Sequence, residues 1–299
     1  METRIVDLGA PVHFLDFGGD GPPMVLVHGL GGSAINWLGV GPGLARRARV
    51  VAIDLAGFGH TPPLGPSTGV EAQQRLLDRF LATVIGGPAI LVGNSMGGLI
   101  ALMQAAAAPG RVSRLVLAAP AQPAPLGGRV DLEVLAAFAA YSIPGFGAWY
   151  LRRRAARLGA EGQVREMLRI CCVDASRVSA DLRGAHVSLA AERLTRMPWA
   201  TSAFLDAARS TLAAMRRKGR FYDMVGAIAA PALIVHGAGD RLVPLPSSRE
   251  LIRKRPDWTL DVLDGLGHVP QMEDPDRFTH VVERWLDAFP LASSARAPV

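Results

Sequence analysis

Cysteine is almost missing from this 299-residue chain. The two that occur, Cys171 and Cys172, are adjacent in sequence. Neighbours rarely bridge, and a single pair is too few for a disulfide framework or a zinc site. They read as small buried hydrophobes in a reducing compartment. The opening Met1-Glu2-Thr3-Arg4-Ile5-Val6-Asp7 lacks the basic-then-apolar order of a signal peptide. No uninterrupted apolar run of about 18 residues occurs, so no membrane span is expected. A soluble, cytoplasmic protein follows as the expectation. Nearly half of the residues are hydrophobic, 49%, which argues against wholesale disorder and for a large core.

The formal charge is +6, and it is unevenly spread. Residues 121–230 hold 16 basic and 9 acidic side chains, an excess of +7 that leaves the rest of the chain at −1. Arg152-Arg153-Arg154, Arg157, Arg216-Arg217-Lys218 and Arg220 concentrate it. Such a pattern is the mark of a solvated helical face, and beyond that of contact with an anionic ligand or lipid surface. No nucleic-acid partner is expected.

Along the chain, apolar runs alternate with helical stretches. Thr3–Asp7 and Val12–Phe17 read as a hairpin about Gly9. Met24–Val27, Val50–Ile53, Ala89–Gly93 and Leu115–Leu117 read as buried strands. Val70–Ile85 is amphipathic, with Leu76, Leu77, Phe80 and Leu81 on one face. The alternation argues for a mainly parallel sheet covered on both faces. It stops at Pro120 and resumes at Ala232–Val235 and Thr259–Leu263. Asp274-Pro275 opens a last helix as N-cap and first residue. The domain reading is a first core part over 1–120, a helical cap over 121–227, a second core part over 228–291 and a frayed tail over 292–299.

The chemistry centres on Gly93-Asn94-Ser95-Met96-Gly97-Gly98. A strand before it and the helical run Leu99–Ala108 after it place G-x-S-x-G on a sharp turn. That context makes it a nucleophile elbow, with the hydroxyl lifted to a helix N-terminus. A serine hydroxyl needs a base, and the base an orienting acid. His268, in Gly265-Leu266-Gly267-His268-Val269-Pro270, follows a strand directly. Asp240, in His236-Gly237-Ala238-Gly239-Asp240, does the same. Both therefore belong at the C-terminal edge of the sheet, where ligands meet open α/β folds. The order Ser95, Asp240, His268 fits this type of triad; Asp264 is the alternative acid. Backbone N–H groups of Met96 and of Leu30, with Gly31 second, are the candidate oxyanion donors. His28 is read as bracing that glycine-rich loop rather than as a catalytic base.

With these residues assembled, the chain resembles the α/β-hydrolase superfamily. The resemblance rests on His28-Gly29-x-Gly31, Asp54-x-x-Gly57-x-Gly59, Gly93-x-Ser95-x-Gly97-Gly98, Gly239-Asp240 and Gly267-His268, and it covers nearly all of the chain outside the insertion. It implies an α/β fold with a central, mostly parallel eight-stranded sheet, helices on both faces and a helical cap over the active site. It implies a structural role for the Asp54 segment. Gly93–Gly98 together with Asn36-Trp37 also looks like the C–C hydrolases of ring-cleavage products. Those carry an aromatic residue after the catalytic His, where this chain has Val269, and a Gly-Pro-Gly type of loop, where it has Leu30-Gly31-Gly32. His268-Val269-Pro270 looks more like capped carboxylesterases and monoglyceride-lipase-like enzymes. The reading is therefore a serine hydrolase cleaving an ester or thioester of a small, largely apolar substrate through an acyl-enzyme, with no cofactor and no metal. The alternatives are a C–C hydrolase or a cofactor-free oxidative relative with the same triad, and a ligand receptor on a hydrolase scaffold. Gly29, Gly31, Asn36, Trp37, Asn94 and Val269 are the expected pocket residues.

Overall fold

The computed structural model describes residues 1–125 and 131–289. The tail expected over 292–299 lies outside the described residues, as does 126–130 within the expected cap. Eight strands form one sheet: β1 (Glu2–Asp7), β2 (Pro11–Gly18), β3 (Pro23–Val27), β4 (Arg49–Ile53), β5 (Ala89–Asn94), β6 (Val112–Ala118), β7 (Ala232–Gly237) and β8 (Thr259–Leu263). Their spatial order is β1-β2-β4-β3-β5-β6-β7-β8. β2 pairs antiparallel with both of its neighbours, and every pair from β4 to β8 is parallel. The sheet is mostly parallel, as expected.

Parallel strands buried on both faces read as near-continuous apolar runs, and β3 to β7 do so over most of their length. On one side Val25, Val27, Val51, Ile53, Leu91, Leu115 and Leu117 join a single cluster. On the other, Met24, Leu26, Val50, Ala52, Ile90, Val92 and Val116 join a second. The period of two along each strand thus feeds two separate cores.

Helices connect and cover the strands: α1 (Gly41–Leu44), α2 (Val70–Phe80), α3 (Met96–Ala107), α4 (Leu132–Ser142), α5 (Phe146–Cys171), α6 (Ala180–Arg196), α7 (Ala200–Arg216), α8 (Lys218–Gly226), α9 (Leu245–Lys254), α10 (Pro270–Glu273) and α11 (Pro275–Ala288). Helices α4 to α8 stand between β6 and β7. Within α5 the backbone breaks at Gly159, with φ 62°. A third apolar cluster joins Val164, Leu168 and Cys172 of that insertion to Val269 and Met272 beyond β8. Val27 is level with Gly93, Gly93 with Leu117, Ala118 with Val235 and Gly237 with Leu263. The loops that leave β3, β5, β7 and β8 therefore open side by side on one edge.

Candidate active site

Strand β5 runs straight into Ser95, which caps α3 with φ 53° and ψ −118°. Left-handed backbone is costly for a residue with a side chain and persists only where the surroundings enforce it. They do so here. The Ser95 N–H donates to Ala118 O at 3.0 Å, and its carbonyl accepts from Leu99 and Ala121 at 3.1 and 2.9 Å. Gly97 explains its own place in the motif: a methyl group there would lie 2.2 Å from Val27 O and 2.5 Å from His28 O. The elbow is pressed against the loop after β3. Met96 opens α3, so its N–H has no acceptor within the helix.

That neighbouring loop turns tightly, with Gly32 N–H donating to Gly29 O at 3.0 Å and Gly31 at φ 73°. Leu30 and Gly31 form the apex, outside the turn's own bond. Gly29 passes beside the nucleophile, and a Cβ on it would meet Ser95 Cβ at 3.1 Å. Three groups hold the loop. His28 donates from Nδ1 to Gly29 O at 2.8 Å and accepts the Leu55 N–H on Nε2 at 3.0 Å. Burial pushes it down to about 4, so it is neutral and fully engaged. Asp54 accepts from Ala34 N–H at 2.6 Å, His60 N–H at 2.9 Å and His13 Nδ1 at 2.6 Å. The donors of His13, Asp54 and His60 lie within 4.8 Å of one another, but both Asp54 oxygens are committed to N–H groups, which makes the cluster a brace. The third group, Arg193 on α6, donates from Nη1 to Gly31 O and from Nη2 to Gly32 O, each at 2.9 Å. Nothing in the sequence singled it out from the other basic residues of the insertion.

Across the same edge, His268 Nδ1 meets Asp240 Oδ2 at 2.7 Å. The other Asp240 oxygen accepts the Leu242 and Val243 N–H groups at 2.8 and 3.0 Å. Burial works to raise this carboxyl, yet His268 and His236 outweigh it and hold the group well below the usual carboxylate range. His236 Nε2 lies 3.4 Å from Asp240 Oδ2 and donates to Val243 O at 2.9 Å. Its Nδ1 accepts from Ser248 Oγ at 2.8 Å, which in turn accepts from Gln122 Nε2 at 2.8 Å. Sequence reading missed His236 as a second imidazole on the acid. The His268 backbone is tied twice. Its N–H donates to Cys171 O at 2.6 Å, and its carbonyl accepts from Asn94 Nδ2 at 3.0 Å.

The expected pocket residues have well-defined surroundings. Trp37 is fully buried within the second core, on the same side of the sheet as Met24, Leu26 and Phe278. The short 3₁₀ turn Ala34–Trp37 rotates the indole inward. Asn36 is turned back to cap that turn, accepting from Ser33 N–H at 3.0 Å and reaching Met272 Sδ at 3.5 Å. Asn94 is 2% exposed, and its amide joins Ala118 O to His268 O, each at 3.0 Å. It is a tie between loops. Val269 is buried in the cluster that joins the insertion to α10. Gly31 faces the ring of Phe204 on α7, to which a Cβ would come within 3.1 Å. Asp264 is exposed, with its carbonyl accepting from Arg277, and the carboxylate hydrogen-bonded to His268 is that of Asp240. Burial pushes the Cys171 thiol up to about 12.

Residues 22–275 match the family model described as the alpha/beta hydrolase fold. The chain belongs to the α/β-hydrolase family. This hydrolase is 30% identical to the 2-hydroxy-6-oxo-2,4-heptadienoate hydrolase of Pseudomonas putida over 303 residues, covering 96% of this chain and 94% of the relative. To the pimeloyl-[acyl-carrier protein] methyl ester esterase of Aeromonas hydrophila it is 29% identical over 272 residues, covering 90% and 96%. Among solved structures, a protein of Acinetobacter baumannii described as a putative lipase superposes with a TM-score of 0.77 at 22% identity, over 96% of this chain and 91% of the other. That likeness is one of fold.

Proposed function

We propose that this α/β-hydrolase cleaves carboxylic esters of small, largely apolar acids through an acyl-enzyme on Ser95. The observation that carries the reading is the pairing of a positive-φ serine at the strand–helix turn with a buried Asp240–His268 pair on the adjoining loops. Asp240 fixes Nδ1 of His268 as the protonated nitrogen, which leaves Nε2 free to accept the Ser95 proton. Ser95 Oγ then attacks the carbonyl carbon. The developing oxyanion is met by the N–H groups of Met96 and Leu30. His268 returns the proton to the departing alkoxide, and a water activated by the same nitrogen attacks the acyl-enzyme. Helices α4–α8 serve as the cap, with Phe204 forming an apolar wall beside Gly31.

A C–C hydrolase is the second reading, favoured by the 30% identity over nearly the whole chain to an enzyme named for such a substrate. Val269, in place of an aromatic residue after the histidine, supports the ester reading. A graded series of aryl esters run beside a vinylogous 1,5-diketone acid separates the two. Turnover of the esters with none of the diketone supports esterase action. Preferred turnover of the diketone would replace it.

A further inference from the structure

The strongest unexplained feature lies at the tip of the insertion. Between Glu133 and Glu161 the chain carries four arginines, Arg152, Arg153, Arg154 and Arg157, and no acidic residue. The same stretch leaves large apolar side chains in solvent: Leu135 is 54% exposed, Ile143 51%, Phe146 41% and Trp149 54%, with Leu132 just before it at 80%. Scattered single residues of this kind are ordinary, whereas a cluster within one helical hairpin is not. The rings are organised. Phe146 and Trp149 lie 5.5 Å apart, and the Arg153 guanidinium stands 5.9 Å over the indole. Gly145, Trp149, Arg152, Arg153 and Ala156 line a shallow, open depression beside the rings.

Two acids beside the face, on the α4 side, are already paired. Asp131 is held by Arg241, and Glu133 by Arg169 and Arg241. Arg154 faces Glu166 at 3.7 Å. Arg152, Arg153 and Arg157, all exposed, carry the charge of the face. Apolar rings beside arginines that can extend their stems and keep their heads wet are the composition of a helix lying in a membrane interface. The face also leads inward. Phe146 contacts Tyr150 at 6.1 Å, Tyr150 contacts Tyr141 at 6.4 Å, and Tyr141 contacts Phe204 at 5.3 Å. Phe204 in turn faces Gly31 of the loop beside Ser95, where an added Cβ would come within 3.1 Å of its ring.

We propose that the α4–α5 hairpin docks this enzyme on the surface of an anionic phospholipid bilayer, with Phe146 and Trp149 entering the headgroup boundary and Arg152, Arg153 and Arg157 meeting lipid phosphates. The positive charge selects an anionic surface over a neutral one, and the apolar cluster selects a bilayer over a soluble anion. Docking does not depend on which bond Ser95 cleaves.

The test is co-sedimentation of the full chain with vesicles of phosphatidylcholine, with and without phosphatidylglycerol, at low and high salt. Binding is expected to the anionic vesicles only, weakening as salt screens it. Reversing Arg152, Arg153 and Arg157 to Glu should lower partitioning at least tenfold, since each such charge contributes roughly fivefold at an anionic surface. Reversing Arg216 and Arg217, exposed at the far end of α7, should lower it much less. Brominated acyl chains should quench fluorescence in the wild type and much less in Trp149→Phe, which keeps all the charges. Equal loss from both charge reversals would reduce the effect to net charge and overturn the proposal. So would absence of binding to anionic vesicles, or wild-type self-association that Trp149→Ser abolishes, which would assign the face to a second copy of the chain.

Discussion

Arg193 reaches from α6 to Gly31, donating to its carbonyl at 2.9 Å while its other Nη group takes the carbonyl of Gly32. The insertion thus grips the loop that presents Leu30. Arg193→Ala should lower kcat by roughly tenfold to a hundredfold, because a small misplacement of an oxyanion donor is expensive. Lysine cannot span two carbonyls and should recover only part of the loss. Unchanged kcat in Arg193→Ala, with the fold intact by circular dichroism, would show that the loop holds its shape without it.

Asp240→Asn should lose on the order of 10³–10⁴ in kcat, since the amide can hold His268 in the wrong tautomer and cannot stabilise the imidazolium. Asp264→Asn should be close to wild type, its side chain being exposed while the His268 hydrogen bond goes to Asp240. Steady-state kinetics on one aryl ester decides it. The opposite ranking would reassign the acid.

Trp37→Ala should act on stability rather than on substrate. Emptying a fully buried indole site costs about 3–5 kcal/mol, read as a lower urea midpoint. Protein that remains folded should keep its KM. A large KM change with stability preserved would return Trp37 to the pocket.

Acid sensitivity follows from two histidines. His28 and His186 are both pushed down to about 4 by burial. Each stays neutral in the folded protein while the unfolded chain takes up a proton below about 6.5. Their contribution is complete above that value and lost as pH falls toward 4, by roughly 3 kcal/mol per histidine. His186 Nε2 has no hydrogen-bond partner among the described residues, so His186→Leu should flatten the fall in urea midpoint between pH 7 and pH 5. Parallel curves for variant and wild type would contradict this.

The frame of the site was readable because its parts sit where strands end. A parallel sheet delivers the residues after β3, β5, β7 and β8 to one edge, so Ser95, Asp240 and His268 could be placed from strand patterns and short motifs. Side-chain direction was not readable. Asn36, Trp37 and Asn94 stand beside the right loops in sequence, but a 3₁₀ turn and two backbone carbonyls decide where their side chains go. Arg193 and His236 were hidden for another reason. Each acts through a partner far along the chain or around a turn, and an arginine in an Ala/Leu/Arg-rich helix carries no local mark of the carbonyls it will meet.

The proposed chemistry stands on Ser95 being an activated nucleophile. The most direct measurement is covalent labelling with a fluorophosphonate, read by peptide mass spectrometry. One adduct is expected, on Ser95, absent in Ser95→Ala and formed far more slowly in His268→Ala, with circular dichroism unchanged in both. The double variant should be no worse than either single one in turnover, because triad members act as a unit. Folded wild-type protein that takes no label, or takes it on a residue other than Ser95, would contradict the account.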